Sequence, residues 1–204
     1  MSFIGTIAPQ DSEGPVREMY EHQQQHWGYV PNYAKVFCHR PEVLARWGRL
    51  LAEIRRPMDD RRFELATFAA AHELRNTACS QAHGKALVRF IGQQAVCELA
   101  AMGRSEALTS AEVSVAAFAR KVARDAASIT AADVQDLREH GLTDAEIFDV
   151  VAAAAGRAFF TKMLDGLGVL ADSAVLSMDE TLREALTVGR PVSGEPVEYL
   201  GSEQ

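Results

Sequence analysis

Helix starts are marked repeatedly along this sequence, and they leave room for little except a helical fold. In Thr109-Ser110-Ala111-Glu112, Thr130-Ala131-Ala132-Asp133 and Thr143-Asp144-Ala145-Glu146, a hydroxyl precedes a carboxylate by three positions. That is the reciprocal pattern that satisfies free N–H groups at a helix N-terminus. Behind Thr109, Val115, Phe118, Ala119 and Val122 recur at helical spacing; after Arg40-Pro41, Val43, Leu44, Trp47, Leu50, Leu51 and Ile54 do the same. A helix is expected from Gly14-Pro15, with proline in its first turn, toward His26, and Gly28 and Pro31 interrupt it. Pro57 and Asp59-Asp60 end the Val43–Ile54 stripe and begin another helix, and Gln93 to Met102 makes a short one. Val150 to Ala155 is small and apolar, suited to close helix packing. Almost no run alternates with a period of two, so the expected class is all-α.

Length and charge narrow the function. The chain of 204 residues fits one domain with an appendage. We expect an irregular entry over 1–14, a helical domain over 15–171 and an extension over 172–204. The segment 109–165 repeats the helix-loop-helix rhythm of 59–103. A net charge of −7 and only short basic runs such as Arg61-Arg62 give no footprint for nucleic acid or anionic lipid. Met1 to Thr6 shows no basic region followed by an apolar run, so no signal peptide is expected, and no stretch approaches the roughly 20 apolar residues of a membrane span. Three cysteines, Cys38, Cys79 and Cys97, are an odd number without regular spacing, which suits a cytoplasmic protein with free thiols. In the tail, Leu182, Ala185 and Leu186 suggest one short helix before Gly189-Arg190-Pro191 and Gly194-Glu195-Pro196 break the chain. Val188, Val192, Val197, Tyr199 and Leu200 favour docking, for which a partner subunit is the expected surface.

The chemistry concentrates in Asn76-Thr77-Ala78-Cys79-Ser80-Gln81-Ala82-His83. With Asn76 or Thr77 as N-cap, Cys79 falls in the first turn of a helix over 77–90, and His83 lies four residues on, on the same face. There the helix dipole favours a thiolate and an imidazole can take or share its proton. On spacing alone, the competing reading is a small buried thiol beside a core histidine. Cys97 looks like a core residue, while Cys38 reads as a partly exposed loop residue. His72-Glu73-Leu74-Arg75-Asn76 has the first half of a zinc-protease helix, but Asn76 stands where the second histidine would be, and Cys79 with His83 makes too few ligands for zinc. His22 and His26 belong to a solvated face, and His140 to a helix C-terminus. No glycine-rich phosphate loop or nucleophile elbow occurs, so no cofactor is expected.

The segment Phe63 to Gly84, with Glu64, Asn76, Cys79 and His83 at its key positions, resembles the core of the alkylhydroperoxidase D-like, or carboxymuconolactone decarboxylase, superfamily. Its peroxidase-type members carry a glutamate ahead of a Cys-x-x-Cys-x-x-x-His motif. Glu64 matches the glutamate, Cys79 the second cysteine and His83 the histidine. Asn76 replaces the first cysteine, and Ala78 a histidine present in some peroxidases. The flanks extend the likeness over residues 15 to 170: Tyr29-Val30-Pro31-Asn32-Tyr33 and His39 to Leu44 before the motif, Gly141 to Ile147, Phe159-Phe160 and Asp165-Gly166-Leu167-Gly168 after it. The pattern looks like a single-cysteine variant of the peroxidase-related branch. The resemblance implies an alkylhydroperoxidase D-like helical bundle and a thiol-dependent hydroperoxide reductase with Cys79 as nucleophile. Glu64 and His83 would form its proton relay. It also implies a homo-oligomer, a dimer or higher. Without a vicinal cysteine, an external thiol is the expected reductant. The alternatives are a cofactor-free decarboxylase, lyase or isomerase of the carboxymuconolactone type, and a non-catalytic oligomeric binding protein.

Overall fold

The computed structural model describes residues 2–200. Ten α-helices follow one another among them: α1 Gly14–Trp27, α2 Asn32–Val36, α3 Pro41–Arg55, α4 Asp60–Glu73, α5 Thr77–Ile91, α6 Gln93–Met102, α7 Ser110–Asp125, α8 Ala131–Glu139, α9 Asp144–Gly166 and α10 Glu180–Leu186. The described residues form no strand, only two isolated bridges, Val30 with Glu198 and Ala171 with Val192. Nor is any described helix long and apolar enough to cross a membrane.

The three capping boxes form as the spacing predicts, at Thr109 with Glu112, Thr130 with Asp133 and Thr143 with Glu146. They are legible because a cap depends on residues three apart and on nothing distant. What the caps do not reveal is which helix lies at the centre. That is α4, which packs against α5, α7 and α9. Every residue from Phe63 to Ala71 is buried. An apolar stripe with Glu64 beside it understates this burial: small residues at Ala66, Ala69, Ala70 and Ala71 let neighbours close on all sides. Each large apolar side chain enclosed there contributes about 1.5–3 kcal/mol.

The turn from α4 into α5 fixes the position of the cysteine. Arg75 N–H donates to His72 O (2.9 Å) and Asn76 N–H to Ala71 O (3.1 Å), closing the end of α4 in a Schellman motif. Arg75 therefore takes the left-handed conformation, φ +59°, where glycine would be easier. Asn76 then caps α5 at once, its side chain accepting the Cys79 N–H at 2.9 Å.

The described part of the tail packs on its own chain. Leu182 and Leu186 are buried in the main core, and Gly84 on α5 has no Cβ because one would sit 2.6 Å from the Leu186 side chain. Gln81 Nε2 donates to Thr187 Oγ1 (3.0 Å), and Ser193 N–H to Ala171 O (2.8 Å). The thiols are the reverse of the expectation. Cys38 is buried, in a one-turn 3₁₀ helix at Phe37–His39, and Cys97 is partly exposed. Proximity to Arg40-Pro41 suggested a loop for Cys38, but aromatic neighbours in the second apolar cluster draw that turn inward.

Candidate active site

Two apolar clusters meet at the cysteine. The larger is built on α4, α5, α7, α9 and α10, and the smaller on α1, α2, α3 and the C-terminal half of α9. Cys79 belongs to the smaller, with Ala71, Phe160 and Leu164.

The three residues singled out in the sequence occupy this seam. Glu64 and Cys79 are each 4% exposed, and the His83 side chain 15%. Glu64 Oε2 lies 2.7 Å from His83 Nδ1, a contact that fifteen residues of chain between Glu64 and Cys79 could not foretell. Thr67, one turn beyond Glu64, donates its hydroxyl to Phe63 O (2.7 Å), and its oxygen lies 3.3 Å from the same Nδ1. Both oxygens around Nδ1 are acceptors, so Nδ1 carries the proton and Nε2 is left as the base. Arg55 closes the outer side, 3.8 Å from Glu64 Oε1 and over the Phe63 ring. Its side chain is 42% exposed, so the Arg55–His83 side is where the site meets solvent.

His83 does not take the cysteine as its partner. The hydrogen bond to Cys79 Sγ comes from Arg157 Nη1, 3.7 Å away. Arg157 is 4% exposed and its guanidinium lies over the rings of Trp47 and Phe160, at 5.4 and 5.7 Å. Those two rings are themselves stacked, 4.1 Å apart. The sequence reading missed Arg157. Its signal is that it is the lone charge between Asp149 and Lys162, a position a buried helix does not leave charged without a reason.

Burial pushes the Cys79 thiol above its ordinary range, and Arg157 pulls it back, while Asp165 adds to the rise. The helix start is thus not enough to make this an acidic thiol. Burial, with Arg157 adding to it, also pushes His83 down to about 4 against the pull of Glu64, so the imidazole is neutral near pH 7. An unfolded histidine takes its proton near 6.5 and the folded one only near 4, so acidification through that window favours the unfolded chain. Asp172, raised to about 6 by burial, works in the opposite direction over a similar range. The contribution of His83 is therefore read as a difference. The stability gap between wild type and His83→Asn should narrow by on the order of 1–3 kcal/mol as pH falls from about 6.5 to about 4. Urea unfolding at a series of pH values measures it, and a constant gap would show that His83 is not held neutral.

Among the described residues no cluster of three or more His, Cys, Asp or Glu side chains is placed to hold a metal ion.

No family model and no curated protein matches the sequence. The fold does have solved counterparts. An alkylhydroperoxidase AhpD core protein from Ralstonia eutropha JMP134, described as an uncharacterized peroxidase-related protein, superposes with a TM-score of 0.73 at 19% identity, covering 93% of this chain and 98% of that one. A peroxidase-related protein from Silicibacter sp. TM1040 gives 0.69 at 21% identity, covering 83% and 93%. A cysteine-to-alanine variant of the debrominase Bmp8, in complex with 2,3,4-tribromopyrrole, gives 0.67 at 13%, covering 91% and 98%. The chain has the alkylhydroperoxidase D-like helical fold.

Proposed function

We propose that this protein is a thiol-dependent hydroperoxide reductase with Cys79 as its redox-active nucleophile and Glu64 and His83 as its proton relay. The observation that carries the reading is the enclosed Glu64–His83 pair, 2.7 Å apart and one helical turn from a thiol that faces a guanidinium. The peroxidase-related neighbours support it through the fold.

The cycle balances with an external thiol. His83 Nε2 takes the Cys79 proton, directly or through water, and the thiolate attacks the distal oxygen of R–O–O–H. The S–O bond forms as the O–O bond breaks, giving Cys79 sulfenic acid and an alkoxide that receives the proton from His83. One external thiol condenses with the sulfenic acid, releasing water and leaving a mixed disulfide; a second displaces Cys79 and departs as the external disulfide. Asn76 supports this one-cysteine form, because the position of a vicinal resolving thiol is occupied by the α5 cap. A cytoplasmic setting would supply the reductant and keep the other two thiols reduced.

Mass spectrometry of the Cys79 peptide after one equivalent of an alkyl hydroperoxide tests the reading. One added oxygen, removed by a small thiol, is expected. An unmodified Cys79 would sink it and return weight to the lyase and binding alternatives. Because one neighbour on this fold is a debrominase, a halogenated aromatic is the control substrate.

We also propose a homodimer or an assembly built from it. Phe148, Ala152, Ala155 and Phe159 share one face of α9, with Phe148 70% and Phe159 43% exposed, and α3 buries only Leu44 fully along its apolar stripe. Such a face supports self-association. Sedimentation equilibrium at micromolar concentration should give a mass at least twice 22.3 kDa, and a monomer would refute the assembly.

A further inference from the structure

A positive charge buried without a counter-ion is unstable, and Arg157 is such a charge. No carboxylate of the described residues lies within ion-pair distance of it, its Nε meets no protein acceptor, and it is 4% exposed. Two aromatic faces attract a guanidinium but do not neutralise it. Its hydrogen-bond partner among the described residues is the Cys79 thiol, 3.7 Å from Nη1, a group that can become an anion. We propose that Arg157 stabilises the Cys79 thiolate that forms when the thiol proton leaves, a guanidinium–thiolate pair in which the sulfur is the counter-ion the fold otherwise withholds.

The neighbouring groups leave this role to Arg157 alone. On α5, His83 is neutral and its Nδ1 is directed at Glu64, so it brings no charge to the sulfur. On α4, Glu64 is engaged by His83 and Arg55. On α9, Asp165 opposes ionisation and is drawn toward Arg190 instead. On α2, Tyr33 donates its hydroxyl to Gln23 and accepts from Trp27, so neither end of that bond is offered to the thiolate. The backbone N–H of Cys79 is spent on Asn76. Arg157 sits on α9, the helix the two clusters share, and Trp47 holds that helix by donating from Nε1 to Gly156 O at 3.1 Å. The guanidinium is thus fixed against the sulfur from a different element, which a sequence motif confined to α5 cannot encode.

This inference rests on the proposed role of Cys79 as nucleophile, yet its test needs no turnover. Thiolate absorbance near 240 nm, taken as the difference between the protein and its Cys79→Ser variant, is titrated in the wild type and in Arg157→Gln and Arg157→Met. Loss of an opposite charge within about 4–6 Å should raise the midpoint by about 1–3 pH units. Arg157→Lys, with a shorter arm and no fork, should give a smaller rise. An unchanged midpoint in a neutral variant that folds overturns the proposal; if neither folds, an unchanged midpoint in Arg157→Lys does. A wild type that fails to reduce any hydroperoxide but shows the shift keeps the pair and loses the reaction. Turnover with no shift keeps the reaction and loses the pair.

Discussion

The Cys79→Ser variant is expected to fold like the wild type and to lose hydroperoxide turnover by on the order of a thousandfold or more, as removal of a nucleophile does elsewhere. Its folding should survive because the cap of α5 uses the Cys79 backbone N–H and the Asn76 side chain, neither of which changes. A serine hydroxyl is smaller than a thiol and can still accept from Arg157. Its turnover should vanish because oxygen in that place neither ionises near neutral pH nor cycles through a sulfenic acid. Cys38→Ser and Cys97→Ser should keep turnover. Cys97 is pushed up by burial and by the carboxylates of Asp179 and Glu98, the reverse of the charge that Cys79 faces. Steady-state consumption of hydroperoxide with a dithiol reductant measures all three, with circular dichroism as the check on folding. Retained turnover in Cys79→Ser would refute the reaction. Lost helicity would show that the residue serves packing alone.

What was legible in this sequence divides by distance along the chain. The caps at Thr109, Thr130 and Thr143 involve residues three apart and stand in the structure as read, and Cys79 and His83, four apart, share α5, although the imidazole turns to Glu64. The Glu64–His83 contact needed two helices to meet, and only the family resemblance supplied it. Arg157 fell outside both kinds of signal. It lies 78 positions from Cys79, on a different helix, although a single charge in an apolar stretch marked it. Cys38 and Cys97 were misread for a related reason. The local context of each is a fair guide to secondary structure and a poor one to burial, because burial is decided by which elements pack over it.

A chain ending at Ala171 should not fold stably. The structure makes the start of the tail part of the chain's own core: Leu182 and Leu186 are 4% and 0% exposed, against α5 and α6. Losing one such leucine to alanine costs about 2–5 kcal/mol, and the whole net stability of a domain is about 5–15 kcal/mol. Removing both, with the hydrogen bond from Gln81 to Thr187, takes most or all of that margin. The truncated chain is expected to lose its cooperative thermal transition and to bind an apolar dye, and a melting temperature equal to that of the full chain would show the tail to be dispensable. A second truncation, ending at Thr187, asks a different question. It keeps α10 and the core but removes Gly189 and Arg190. Gly189 N–H donates to Thr77 Oγ1 (3.1 Å), and that hydroxyl donates to Arg190 O (2.6 Å), two residues ahead of Cys79. A Cβ at Gly189 would come within 1.8 Å of Arg75 O, so this segment is seated directly on the turn that starts α5. The chain ending at Thr187 should therefore stay folded while the first turn of the cysteine helix loosens. Amide exchange at residues 77–80 should quicken before any global unfolding, because the tail holds that turn from outside the core.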